Sequence, residues 1–200
     1  MSDLGIISAR GVSVQTPLPV GWLGRPDAPL SVPVTYQNPV LTYSQVQCLV
    51  AQIGFDKSQW NYSLIDGNSL GRYQFSADVL ESYGFLIGTA VLNYGQAAVF
   101  KRACWVPTNY SYGVSSMQGF LAGTAAQDHL IYQILFDTYA GLVKNGGIRA
   151  ADSTDVCSGM MYAGLNLGIV NAQIWRTSGI GNGIAPFNSG RYAITVLGAA

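Results

Sequence analysis

Charge is what this sequence has least of. Its 200 residues carry ten Lys and Arg against ten Asp and Glu, a net charge of zero and 10% of the chain, where an average soluble domain has about a quarter. With neither sign in excess, nothing points to nucleic acid or an anionic membrane as a partner. A neutral, sparsely charged surface disperses poorly as a monomer, which favours a protein buried in an assembly. Cysteine is scarce too. Cys48, Cys104 and Cys157 are widely spaced, which excludes a disulfide framework and a zinc site and leaves small buried hydrophobes. No metal cluster, phosphate loop or nucleophile elbow is present; Gly179-Ile180-Gly181-Asn182-Gly183 follows no strand and reads as loop. No cofactor is expected. No apolar run reaches the roughly 18 residues of a membrane span. Met1-Ser2-Asp3 opens without the basic and apolar segments of a signal peptide, so the expectation is synthesis in a cytoplasm without export by the usual route.

Hydrophobic residues make up 49% and aromatics 12%, enough for a sizeable core. The length suits one domain plus an arm. Residues 1–40 hold six of the eight prolines, so this stretch supports neither a regular helix nor a central strand and is expected to be extended. It is nevertheless apolar, with Leu4, Ile6, Ile7, Val12, Val14, Trp22 and Tyr36 among its residues. Such an arm wraps its own domain or docks on a neighbouring subunit; both readings stay open at this point.

From residue 41 the pattern is mostly helical. Thr42 or Ser44 caps a helix to Ile53 or Phe55, with Val46, Leu49, Val50 and Ile53 on one apolar face and Gly54 weakening it. Asp66-Gly67-Asn68 is a turn signal. Ser76 caps a helix that Gly84 stops. Residues 87–104 are ambiguous between short helices and loop, and 109–113 are turn-like. Ser115 or Ser116 opens a short helix through Phe120. Thr124 and Gln127 predict a capping box for the longest helix, Ala125 to Lys144, with Leu130, Ile131, Ile134, Leu135 and Leu142 inward. Asp152 is expected to cap a helix to Leu167, whose Gly159, Ala163 and Gly164 allow close packing. A short helix over 170–176 and a last one beginning at 187–193 complete an α+β, mostly α chain.

Lys57 to Leu80 reads KSQWNYSLIDGNSLGRYQFSADVL. Ser58, Trp60, Asn61, Gly71, Tyr73 and Gln74 stand where the lytic transglycosylase and goose-type lysozyme superfamily has a Ser after its catalytic Glu, a Trp-Asn loop, and Gly-hydrophobic-hydrophobic-Gln. The form Leu70-Gly71-Arg72-Tyr73-Gln74-Phe75 looks most like phage-encoded members. Phe187-Asn188-Ser189-Gly190 resembles that family's late Tyr-Asn-Ala-Gly segment. The resemblance spans about residues 43 to 197. It implies a lysozyme-like domain over 41–200 with a small β part and a glycan cleft to which Ser58, Trp60, Tyr73, Gln74, Asn188 and Tyr192 contribute.

One position departs from the family. Glycosidic cleavage needs a proton donor, held protonated by partial desolvation, and Lys57 stands where the family has that Glu. A lysine cation is a poor substitute. Asp56, one residue earlier, is a weak candidate acid, because a one-residue shift turns a helix side chain by about 100°. Asp66 is a weaker one. The lone glutamate, Glu81, reads as a solvated helix position, and His129 as an ordinary helix residue. The expectation is therefore a structural component of a phage virion, of the tail or baseplate, whose lysozyme-like domain has lost glycan cleavage and whose arm meets other virion proteins. The alternatives are an active peptidoglycan hydrolase or lytic transglycosylase using Asp56, and a module that binds peptidoglycan without cutting it.

Overall fold

The computed structural model describes residues 40–107 and 113–195. The expected arm, Val40 excepted, and most of the Tyr-rich turn lie outside them. The described chain is mostly helical with one small two-stranded sheet. It divides into two compact units: one takes in the described residues up to Ile53 and from Tyr132 onward, the other is Gly54–Ile131. Among the described residues no helix is long and apolar enough to cross a membrane.

Helix α1 runs Tyr43–Ser58. Thr42 rather than Ser44 starts it: its hydroxyl accepts from the Gln45 N–H (3.3 Å), while its own N–H donates to Gln45 Oε1 (2.8 Å), a reciprocal capping box. The helix outlasts its expected end by a turn. Glycine inside a helix costs about 1 kcal/mol relative to Ala, but a Cβ at Gly54 would stand 2.5 Å from Arg72 Nε. The glycine makes room for a side chain and does not stop the helix. Nor is α1 amphipathic, since Val46 through Ala51 are all buried.

In the Gly54–Ile131 unit, strands β1 (Ile65–Asp66) and β2 (Ser69–Leu70) pair antiparallel around Gly67-Asn68, and Gly67 takes φ +56°, as a tight hairpin requires. Helix α2 (Ala77–Ser82) is capped by the Ser76 hydroxyl, which accepts from Val79 N–H. The ambiguous segment resolves into a short helix α3 (Ala90–Tyr94) and two 3₁₀ turns, Gly95–Phe100 and Arg102–Cys104. Helix α4 (Met117–Ala122) is capped by Ser116. Its Phe120 is the hub of the unit's apolar core, with the rings of Phe75, Phe85 and Trp105 centred 5.3–5.8 Å away.

The long helix α5 spans Thr124–Lys144, and its predicted stripe is buried throughout. In the unit that includes Tyr132–Thr195, it is followed by α6 (Thr154–Leu167), α7 (Ile169–Ser178) and α8 (Ile184–Thr195). Helix α8 starts before the expected 187, because Pro186 sits in the first turn, where its missing N–H has no helical partner to lose. Gly159 lies against Phe187. Gly190 lies against Ser158, whose hydroxyl donates to the Gly190 carbonyl (2.7 Å). Gly164 lies against Thr138 and Leu142, so the small residues of α6 do permit close packing. Asp152 does not cap α6; the N-cap residue is Ser153. The Asp152 carboxylate instead receives a two-pronged contact from Arg176 (2.6 Å each) and the Arg149 N–H (2.6 Å).

Candidate functional site

Residues 59–75 connect α1 to α2 with only two residue pairs of sheet. Backbone polar groups in so irregular a buried segment need partners from side chains. Ser58 begins the set: its buried hydroxyl lies 2.7 Å from the Arg72 carbonyl oxygen and 3.1 Å from that of Gly54. Gln127 continues it. Its Oε1 accepts from Arg72 N–H (2.8 Å), and Nε2 donates to the carbonyls of Tyr62 (3.0 Å) and Phe120 (2.9 Å). With both amide hydrogens spent there, Gln127 does not close the capping box expected with Thr124. Gly71 follows from the same contact: φ is +78°, and a Cβ would stand 2.1 Å from Gln127 Oε1. Gln74 also takes a left-handed φ of +55°, and its amide donates to the Gly71 carbonyl (2.7 Å).

Inside this loop sits a buried charge cluster. Arg72 and Asp128 are 6% and 3% exposed, with Nη1 and Oδ1 4.0 Å apart. Arg72 Nη1 donates to the Tyr62 hydroxyl. The guanidinium lies over the rings of Tyr62 (4.9 Å) and Tyr73 (5.3 Å). The Tyr62 hydroxyl is 2.8–2.9 Å from both Asp128 oxygens, and the Tyr73 hydroxyl donates to Oδ1 at 2.5 Å. Burial opposes the charge on Arg72, but Tyr73, Tyr62 and Asp128 outweigh it and raise the guanidinium's pKa above its usual value. Burial, with Asp128 beside it, pushes Tyr73 well above the usual phenol value. At neutral pH the cluster is one cation, one carboxylate and two neutral phenols that bridge them.

The sequence-predicted residues of this unit thus gather around one loop. Ser58, Trp60 and Tyr73 are buried, Gln74 is half-buried, and Trp60 packs on Phe55 with ring centroids 5.2 Å apart. Lys57 is half-buried in the last turn of α1, and burial lowers its pKa, with Asp56 opposing. Asp56 and Asp66 are exposed, without the desolvation that raises a carboxyl to act as an acid. Glu81 is not a solvated position: its carboxylate accepts from Val91 N–H (2.6 Å) in the first turn of α3. His129 is half-buried, and burial lowers its pKa. Asn188 and Tyr192 belong to the other unit, on α8, where Asn188 is exposed and Tyr192 half-buried.

Arg72, Gln127 and Asp128 were missed as a set. No local pattern could have joined them, because Gln127 meets a backbone N–H 55 residues away and Asp128 a phenol 66 residues away. Among the described residues, no group of three or more His, Cys, Asp or Glu could hold a metal. Burial pushes the Cys48 thiol up to about 12 and Cys157 to about 11, which leaves both unreactive at neutral pH. No protein-family model matches the chain, and neither a curated protein nor a solved structure does.

Proposed function

We propose that this chain is a structural component of a bacteriophage virion, of the tail or baseplate, built on a lysozyme-like domain that no longer cleaves glycan. In this reading it is made in the host cytoplasm, resides in the virion, and meets other virion proteins through residues 1–40. One observation carries the reading. The residues that resemble a transglycosylase motif are spent on holding their own loop, through Ser58 to Arg72, Tyr73 to Asp128 and Gln74 to Gly71, while the place of the acid is held by Lys57. A fold outlives the chemistry grafted on it.

The test is release of muropeptides from purified peptidoglycan, read by mass, for the wild type, Asp56→Asn and Lys57→Glu. The expected wild-type result is no release. A positioned general acid is worth about 10²–10⁴ in rate, so Lys57→Glu alone is expected to restore measurable cleavage if the remaining cleft is intact. Wild-type release of anhydro or reducing-end fragments, abolished by Asp56→Asn, would overturn the structural reading in favour of an enzyme with its acid moved by one residue. Retention of peptidoglycan by a silent wild type would assign it instead as a binding module.

A further inference from the structure

Two polar side chains near the start of α1 have no described use. Gln47 is 4% exposed and Ser44 7%, yet neither atom of the Gln47 amide nor the Ser44 hydroxyl has a hydrogen-bond partner. The two stand three residues apart and share one helix face. Ser44 is not spent on the helix end, which Thr42 and Gln45 close between them. Buried polar atoms without partners are rare in folded proteins, since each bears the cost of leaving water. An amide and a hydroxyl together offer donors and acceptors that match the carbonyls and N–H groups of an extended backbone. The chain that could supply such a backbone is adjacent. Residues 1–39 end just before Val40, and Leu41 is already buried where that chain enters α1. Pro33 and Pro39 exclude a regular helix over residues 30–39, so its carbonyls need partners from elsewhere.

We propose that Ser44 and Gln47 form a seat on α1 for the backbone of residues 30–39 of the same chain, leaving the more distal part of the arm for a neighbouring subunit. Limited chymotrypsin digestion of the full chain tests it, because Tyr36 and Trp22 place one cleavable bond inside the seated segment and one outside it. Cleavage by a protease tracks the population of the opened segment. Cleavage after Tyr36 is expected to be slow in the wild type and about tenfold faster in Gln47→Met and in Ser44→Ala, the loss of about one buried hydrogen bond. Cleavage after Trp22 and the helical melting curve are expected to stay unchanged. If Gln47→Met fails to fold, Ser44→Ala carries the comparison. Equal Tyr36 rates in wild type and variants would overturn the seat. So would wild-type cleavage as fast as that of a synthetic 1–39 peptide, or protection that rises with protein concentration, which would place the segment on another copy.

Discussion

The two units solve the same problem by different means. In Gly54–Ile131 the chain is irregular, and polar side chains hold it: Gln127, Ser58 and the Arg72–Asp128 cluster supply the partners that sheet and helix would otherwise provide. In the unit that includes Tyr132–Thr195 the backbone is nearly all helix, and glycines let the helices meet at backbone distance. Left-handed residues follow the same division. Among the described residues, those of the helical unit are all glycine, whereas Gln59, Trp60 and Gln74 take positive φ in the other. Regular helices satisfy their own backbone, so contact distance becomes the constraint; a loop does not, so its partners become the constraint.

The polar design concentrates its stability in few atoms, and Asp128→Ala is the sharpest way to break it. The substitution leaves Arg72 charged and buried with no carboxylate, and losing one member of a buried pair costs about 3–5 kcal/mol. Urea unfolding should show it as a large drop in midpoint. A loss below 1 kcal/mol would mean that water reaches the guanidinium and that the cluster does not hold the loop. In the helical unit, Gly190→Ala is the counterpart. Its Cβ would meet the Ser158 carbonyl oxygen at 2.5 Å and the Gly159 Cα at 2.9 Å. Backbone atoms cannot rotate away, so overpacking should cost about 1–3 kcal/mol. Gly141→Ala is the control: its Cβ meets only the flexible end of Ile169, and thermal unfolding should barely change.

Electrostatics in the helical unit is peripheral, and acid should reveal it. The Arg176 hydrogen bond holds Asp152 below its ordinary value, against burial and with the Arg149 N–H assisting; the Ser153 hydroxyl, then Arg191, do the same for Asp155. Both carboxyls take up a proton less readily folded than unfolded, so the unfolded chain binds more protons and stability rises with pH in that range. Their contribution is complete above the ordinary value of 3.8 and is lost as pH falls through the folded values beneath it. Asp152→Asn should flatten that acid limb and, for a pair near solvent, cost about 1 kcal/mol at pH 7. An unchanged limb in denaturation curves from pH 5 to 2 would show that the Arg176 contact contributes nothing.

What could be read from the sequence was local. The Ser76 and Ser116 caps, the Asp66-Gly67-Asn68 hairpin and the buried stripe of α5 each depend on residues a few positions apart. Where the reading failed, a distant partner had changed a residue's meaning. Gly54 reads as a helix stop until Arg72 is seen beside it, and Gln127 reads as a capping residue until its amide is found on Tyr62 and Phe120. Asp152 reads as a cap until Arg176 reaches it. The motif around Ser58, Tyr73 and Gln74 could be picked out one residue at a time, but the work it does inside the loop could not, because Asp128 and Gln127 carry no mark of it.

The smallest effect is expected to be a gain. Gln59 and Trp60 follow α1 in left-handed geometry, φ +51° and +63°, which costs an L-residue about 1–2 kcal/mol. Trp60 offsets that cost by burying its ring against Phe55. Gln59 is exposed, and its N–H return to the Phe55 carbonyl (2.9 Å) is a backbone contact that glycine would keep. Gln59→Gly should therefore remove the strain. The greater freedom of glycine in the unfolded chain takes back part of the benefit, leaving about 0.5–1 kcal/mol of added stability. Trp60→Gly, with the same backbone relief, should lose far more than it gains, because a buried aromatic replaced by a small residue costs about 3–5 kcal/mol. Opposite signs at neighbouring positions would show that this loop tolerates strain only where a side chain compensates for it. A loss of stability in Gln59→Gly would instead place the Gln59 side chain among the groups that hold the loop.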